Sequence, residues 1–312
     1  MIPLIVLAGS LGAGKTTVLR ELVENQRDAR CHLIVNEIGE VPPSLGDFMV
    51  RSESAVVLRG GCACCIRRED LVEDLIAFAN DRERQDKDVL FLELSGIADP
   101  APVIHTIFGH PFLANHYDVQ EVITVVDAYD SGATRRDGLW ARQIALADRC
   151  ILAKADLVPN EILDELSATI AEINPWASLV SSDHGHLGPA RPRRVSEAAR
   201  PVVDPTNLSA QPEHGALPTV TSIMVGDRFD WGSFGVWLSL LLHRWGHDVL
   251  RVKGLVPASP GEYVTIQAVH HVVFPPEHVT LEEHGEGHIV LITKNIDTER
   301  LRRSLDAFVQ VN

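Results

Sequence analysis

Between Gly9 and Thr16 the chain reads Gly-Ser-Leu-Gly-Ala-Gly-Lys-Thr, residue types and a spacing suited to holding the phosphates of a nucleoside triphosphate. Gly9, Gly12 and Gly14 allow the backbone to fold around an anion, and Ala13 and Thr17 extend the row of inward N–H groups at the positive end of the following helix. Lys15 is the cation expected to reach the β and γ phosphates, and the Thr16 hydroxyl is the expected Mg²⁺ ligand. Two more segments extend this chemistry. Val89 to Gly96, Val-Leu-Phe-Leu-Glu-Leu-Ser-Gly, is an apolar strand closing on an acid and a glycine. Glu93 is suited to orienting Mg²⁺ or its water shell, and Gly96 to letting a backbone N–H approach the γ-phosphate. Lys154-Ala155-Asp156 is suited to reading guanine: a carboxylate accepts from both N1–H and the exocyclic amine, while the lysine stem stacks on the base. Lys-x-Asp is a weak signal alone and gains weight from the loop.

Cys62, Cys64 and Cys65 form a different kind of cluster, inside Gly60-Gly61-Cys62-Ala63-Cys64-Cys65. In an extended strand Cys62 and Cys64 share a face, and Cys65 joins them only if the chain turns. Thiolates are good Zn²⁺ ligands, so the triplet suits a metal completed by ligands from elsewhere. Three small buried residues and a redox pair are the other readings, the latter strained for the adjacent Cys64 and Cys65. Cys31 and Cys150 stand alone and read as buried core thiols.

These residues need a scaffold, and the pattern supplies one. Ile2 to Ala8, Cys31 to Val35, Val89 to Leu94, Val122 to Val126 and Cys150 to Ala153 read as buried strands. Thr17 to Asn25, Glu69 to Arg82, Pro100 to Phe108 and Glu161 to Ile173 read as helices. Alternating strand and helix predicts an α/β fold, a mostly parallel sheet covered on both faces with its ligand at the carboxyl ends of the strands. The expected phosphate-loop domain covers residues 1–180. Residues 181–217, rich in Gly, Pro, Arg and Ser, read as a linker. In residues 218–312 the strands Val220 to Val225, Val249 to Pro257, Tyr263 to Phe274 and His288 to Thr293 accompany helices Trp231 to Trp245 and Thr298 to Val309, the pattern of a smaller α+β domain.

Composition narrows the partners. The formal charge of −15 without a Lys/Arg run argues against nucleic acid. The first apolar run is far shorter than a membrane span and leads straight into the phosphate loop, so neither signal peptide nor membrane is expected. Three of the five cysteines within four residues suit a reducing, cytoplasmic setting better than a disulfide framework. Among the fourteen histidines, His184, His186, His214, His270, His271, His284 and His288 form no dense tract and read as a solvated surface, with a secondary surface that collects Zn²⁺ or Co²⁺ as the alternative.

The phosphate loop, Val35-Asn36-Glu37-Ile38-Gly39-Glu40, the Cys-x-Cys-Cys cluster followed by Arg68, Asp70 and Leu71, Glu93-Leu94-Ser95-Gly96-Ile97-Ala98-Asp99-Pro100 and Lys154-Ala155-Asp156 occur in the order seen in CobW-like GTPases. Arg251-Val252-Lys253-Gly254 resembles the Arg-x-Lys-Gly that opens that family's C-terminal domain, so the resemblance covers most of the chain. It implies a phosphate-loop NTPase domain followed by a CobW-type C-terminal domain, and a slow GTPase that inserts zinc or cobalt into a client enzyme. In that reading Cys62, Cys64 and Cys65 supply soft ligands, Glu37 and Glu40 lie in the first switch near the metal, and nucleotide state alters the metal site. GTP, Mg²⁺ and Zn²⁺ or Co²⁺ are the implied cofactors. A client metalloprotein is the implied partner, with a homo-oligomer left open. Two departures stand out: Ala153 where the family usually has Asn, and Pro42-Pro43-Ser44 where it usually has Gly-Ile-Asp. The alternative is a non-catalytic regulatory module that uses nucleotide and metal as structural ligands. A small-molecule kinase on the same loop leaves the cysteines unexplained.

Overall fold

A computed structural model describes residues 1–26, 29–37, 54–59, 68–81, 87–129, 138–191, 218–225, 230–259, 262–280 and 287–308. The chain divides into two compact units, each with its own sheet. In the first, β1 (Ile2–Gly9), β2 (Arg30–Glu37), β3 (Ser54–Arg59), β4 (Asp88–Glu93), β5 (Tyr117–Asp127), β6 (Arg149–Ala153), β7 (Ser178–Asp183) and β8 (His186–Arg191) form one sheet in the order β3-β2-β4-β1-β5-β6-β7-β8. Every neighbouring pair is parallel except β7 with β8. Helices α1 (Lys15–Asn25), α2 (Arg68–Ala79), α3 (Pro100–Gly109), α4 (Pro111–His116), α5 (Gly138–Leu146) and α6 (Asn160–Ile173) connect the strands. Strands covered on both faces must be apolar throughout, which is why β1 and β4 read as uninterrupted hydrophobic runs.

Strand β1 sits between β4 and β5, pairing Leu7 with Glu93 on one side and Ile123 on the other. The strand order reverses there, and in open α/β sheets a ligand crevice opens at such a point, at the carboxyl ends. Helix α1 is clamped over it by Val18, Leu19, Leu22 and Val23, which pack on Leu7, Leu33, Phe91, Val125 and Ile151. At the opposite edge Arg30 pairs with the buried Asp88 at 2.8 Å, tying β2 to β4. The Tyr117 hydroxyl donates to the Leu75 carbonyl at 2.6 Å and fixes α2 against the start of β5.

Several elements depart from the sequence expectation. Helices α4 and α5, strand β3 and the strand His278–Thr280 are short segments that periodicity alone does not mark. Strands β7 and β8 overlap the start of the expected linker and carry ordered sheet to Arg191, well past 181. His184 and Gly185 between them look like connecting chain, yet they form a hairpin turn whose arms contribute buried Val180 and partly buried Leu187 to the α1 core.

The second unit holds β9 (Thr219–Val225), α7 (Trp231–Trp245), β10 (Val249–Ser259), β11 (Glu262–Val269), β12 (Val272–Val273), β13 (His278–Thr280), β14 (Gly287–Thr293) and α8 (Thr298–Phe308). Its antiparallel sheet runs β12-β11-β10-β14-β9, with β13 on β11. Phe234, Trp237, Leu238 and Leu241 of α7 join Leu301 and Leu305 of α8, Val252 and Ile289 in one apolar cluster. The Asp230 carboxylate caps α7 by accepting from the Gly232 and Ser233 amides. Arg251 to Gly254 lie in β10, which is central in the sheet. The α/β unit followed by a smaller α+β unit is the fold class expected. Among the described residues no helix is long and apolar enough to cross a membrane.

Candidate nucleotide site

The Gly-rich turn leaves β1 at Gly9 and enters α1 at Lys15, with Gly14 as helix N-cap at φ 91°, a left-handed conformation that costs a residue with a Cβ about 1 kcal/mol or more. No side chain caps the first turn, so its leading amides are oriented as an anion site. Lys15, only 6% exposed, folds back over the turn and donates from Nζ to the Gly9 carbonyl at 3.1 Å and the Ser10 carbonyl at 3.0 Å. A buried ammonium held by weakly polar carbonyls exchanges them favourably for phosphate oxygens.

Thr16 Oγ1 donates to Glu93 Oε1 at 3.0 Å. Glu93 is 1% exposed at the end of β4, so its carboxylate is buried beside the mouth of the loop. A hydroxyl and a buried carboxylate in contact are oxygen donors fit for a hard divalent cation. The chain then passes so close to the loop that a Cβ at Gly96 would lie 2.4 Å from the Leu11 amide nitrogen. Only glycine permits that approach. Gly96→Ala is therefore expected to push the two loops apart and cut nucleotide turnover by about tenfold or more, while the sheet core is untouched. Equal turnover with an unchanged melting temperature would contradict the tight approach.

Behind this loop, Asp99 caps α3 by accepting from the Ala101 amide at 3.0 Å and takes Arg142 Nε of α5 at 3.0 Å. Gln143 of the same helix donates from Nε2 to the Ala98 carbonyl at 2.9 Å. Neither α5 residue is marked in the sequence, because nothing in a nine-residue helix signals which loop it will touch.

Across the crevice, Lys154 follows β6 in a left-handed conformation, φ 59°, and its Nζ is 2.6 Å from Asp127 Oδ2 at the end of β5. Asp127 holds the lysine stem in place, and the Asp127 Oδ1 also accepts from the Tyr129 amide at 2.9 Å. It was legible only as an acid closing an apolar run. Asp156 stands on the short 3₁₀ turn Ala155–Leu157. Its Oδ1 accepts from the His184 amide at 3.3 Å, and its Oδ2 lies 2.8 Å from His184 Nδ1. Partial desolvation works to raise the Asp156 carboxyl, but the amides of His184 and of Asp156 itself, with the charge and hydrogen bond of the His184 ring, hold it below its ordinary range. Ala153 is buried, and its Cβ would be 3.7 Å from a Cβ built on Gly14, so the base side of the crevice and the phosphate loop adjoin.

The structure thus brings Gly9, Gly12, Ala13, Gly14, Lys15, Thr16, Thr17, Glu93 and Gly96 to one end of the sheet, with Lys154 and Asp156 following the neighbouring strand β6. Glu37 closes β2 at that same edge, in register with Arg59 of β3. Glu40, Cys62, Cys64 and Cys65 lie outside the described residues, as do Pro42, Pro43, Ser44, His214 and His284. Cys31 and Cys150 are buried and outside any disulfide, and burial pushes the Cys31 thiol up to about 11, which makes it unreactive. His270 spends Nδ1 on the Gly246 carbonyl at 2.9 Å, and burial lowers His288. Asp156, Asp183 and His184 are the one group among the described residues with donor atoms close enough together to share a metal ion.

Comparison with known proteins finds a match for both units. Residues 3–181 match the model of the CobW/HypB/UreG nucleotide-binding domain, and residues 220–309 that of the cobalamin synthesis protein cobW C-terminal domain. The zinc chaperone YjiA of Escherichia coli is 34% identical over 187 residues, 58% of this chain and 58% of that protein, so the match spans little more than half of that relative. The zinc chaperone CobW of Pseudomonas aeruginosa is 30% identical over 310 residues, 84% of this chain and 78% of that protein. The crystal structure of Zn(II)-bound YjiA GTPase from E. coli superposes with a TM-score of 0.68 at 22% identity, covering 98% of both chains, which establishes the shared fold.

Proposed function

The chain belongs to the CobW/HypB/UreG family, and from that premise we propose that it is a slow GTPase that carries zinc to a client metalloprotein in the cytoplasm. The observation that carries the reading is the group formed by buried Lys15 and Glu93 with half-buried Thr16 at the strand-order reversal, where a triphosphate fits the amides of the loop. In this reading the loop amides and Lys15 bind and orient the phosphates, and Gly96 lets a backbone amide close on the γ-phosphate. Thr16 and Glu93 would hold Mg²⁺, which would supply neutralisation of charge on the phosphates. Asp156 reads the guanine edge, and Lys154, held by Asp127, lies against the base.

Zinc is the cargo. The relatives named above are called zinc chaperones, which favours zinc over cobalt. Cys62, Cys64 and Cys65 would supply thiolates, with Glu37 or Glu40 completing the set. Support for coupling to nucleotide comes from β2 and β3, whose carboxyl ends share the edge of the phosphate loop and lead into the segments that carry these residues. Linkage then requires GTP to change zinc affinity by the factor by which zinc changes GTP affinity.

That factor is measurable. Zinc competition titrations against a chromogenic chelator, with GDP and with a non-hydrolysable GTP analogue, are expected to differ by about tenfold or more, within the usual range of coupling energies. Equal zinc affinity in both nucleotide states would end the gated-transfer reading. GTP binding without turnover would leave the non-catalytic module instead.

A further inference from the structure

We propose that His184 is the positioning residue that orients the Asp156 carboxylate for guanine, and so sets base selectivity in a chain whose position 153 is Ala. The inference rests on the GTP reading above. Guanine presents two donors side by side, and both carboxylate oxygens must face them at once. Asp156 sits on a short turn, and its carboxylate is free to rotate unless something holds its plane. His184 holds it at two points, with the amide on Oδ1 at 3.3 Å and the ring Nδ1 on Oδ2 at 2.8 Å. Each carboxylate oxygen accepts two hydrogen bonds, so the two His184 contacts take one site on each oxygen, and the Asp156 backbone amide adds a further contact to the same carboxylate. Ala153 offers no polar side-chain atom to share the task.

His184 is held in turn. It takes a left-handed backbone at φ 49°, and Asp183 Oδ1 lies 3.3 Å from the same ring nitrogen. Both Asp183 and the His184 ring are mostly exposed, so His184 is not there to fill the core. The turn is docked on the helix that begins at the phosphate loop: a Cβ at Gly185 would come within 2.8 Å of Thr17 Cγ2, and His186 Nδ1 lies 3.3 Å from Glu21 Oε2. Base reader and phosphate loop are therefore referenced to one helix, α1, through a hairpin whose turn has the composition of a linker.

The test compares His184→Asn with His184→Asp. The two side chains are isosteric and both tolerate a left-handed backbone, but at the Nδ1 position only the amide can donate. The readout is the ratio of ATP to GTP dissociation constants at fixed Mg²⁺. His184→Asn is expected to keep the wild-type ratio within about twofold, and His184→Asp to lower it by about tenfold, the effect of about one hydrogen bond. ATP affinity is an internal control, since a change in folding or local charge moves both nucleotides together. In an Asp156→Ala background, His184→Asp is expected to leave the ratio where Asp156→Ala put it.

Equal loss of both nucleotides in His184→Asp, or tighter GTP binding, would overturn the inference, the latter showing that His184 competes with the base. Failure of the unaltered protein to prefer GTP would instead overturn the GTP reading, and the inference with it.

Discussion

Lys15→Ala is expected to lower GTP hydrolysis by about 10²- to 10³-fold, the usual effect of removing one pre-positioned donor from a site of developing charge. The ammonium is already buried over the loop, 3.0 Å from the Ser10 carbonyl and 3.1 Å from that of Gly9, so no reorganisation from solvent is needed when phosphate oxygens take over. Ground-state binding should fall less, because the loop amides and the end of α1 still hold the phosphates. Phosphate release at saturating GTP and calorimetric binding of a GTP analogue separate the two effects. Wild-type turnover in the variant would mean that the Gly-rich turn is structural only. A parallel loss of melting temperature would point to the carbonyl contacts of Lys15 rather than to phosphate.

Asp156→Asn is expected to exchange guanine for xanthine. In the variant the side chain offers one acceptor and one donor where the carboxylate offered two acceptors, so the guanine 2-amino group meets another donor. Losing a charge-assisted hydrogen bond and leaving that donor facing another should weaken GTP by about 10²-fold. Xanthosine triphosphate carries a carbonyl at that position and should gain by a comparable factor. Competition between GTP and xanthosine triphosphate for the unaltered and variant proteins reads the exchange directly. If the ratio does not move, Asp156 does not face the base. The pair is informative because Lys15 acts on every nucleotide alike and Asp156 acts only on the base.

Much of the first unit was legible because its signals are contiguous. A strand covered on both faces must be an apolar run, and β1, β4 and β6 announced themselves that way. The amphipathic helices Trp231–Trp245 and Thr298–Phe308 were equally plain, with buried positions at helical spacing. The hairpin at 178–191 was not, because its turn has the composition of a linker and only pairing along the edge of the sheet reveals it as structure.

The sequence by itself determined the phosphate loop and the two-domain α/β and α+β plan. A loop of glycines entering a helix at Lys15 needs only local backbone chemistry to be recognised. What the tertiary structure decided is which residues meet there. Glu93 reaches Thr16 across 77 residues, Asp127 reaches Lys154 across 27, and His184 reaches Asp156 across 28. Those meetings depend on the order β4-β1-β5-β6-β7, which is fixed by packing apolar strands under α1 and leaves no mark at any single position.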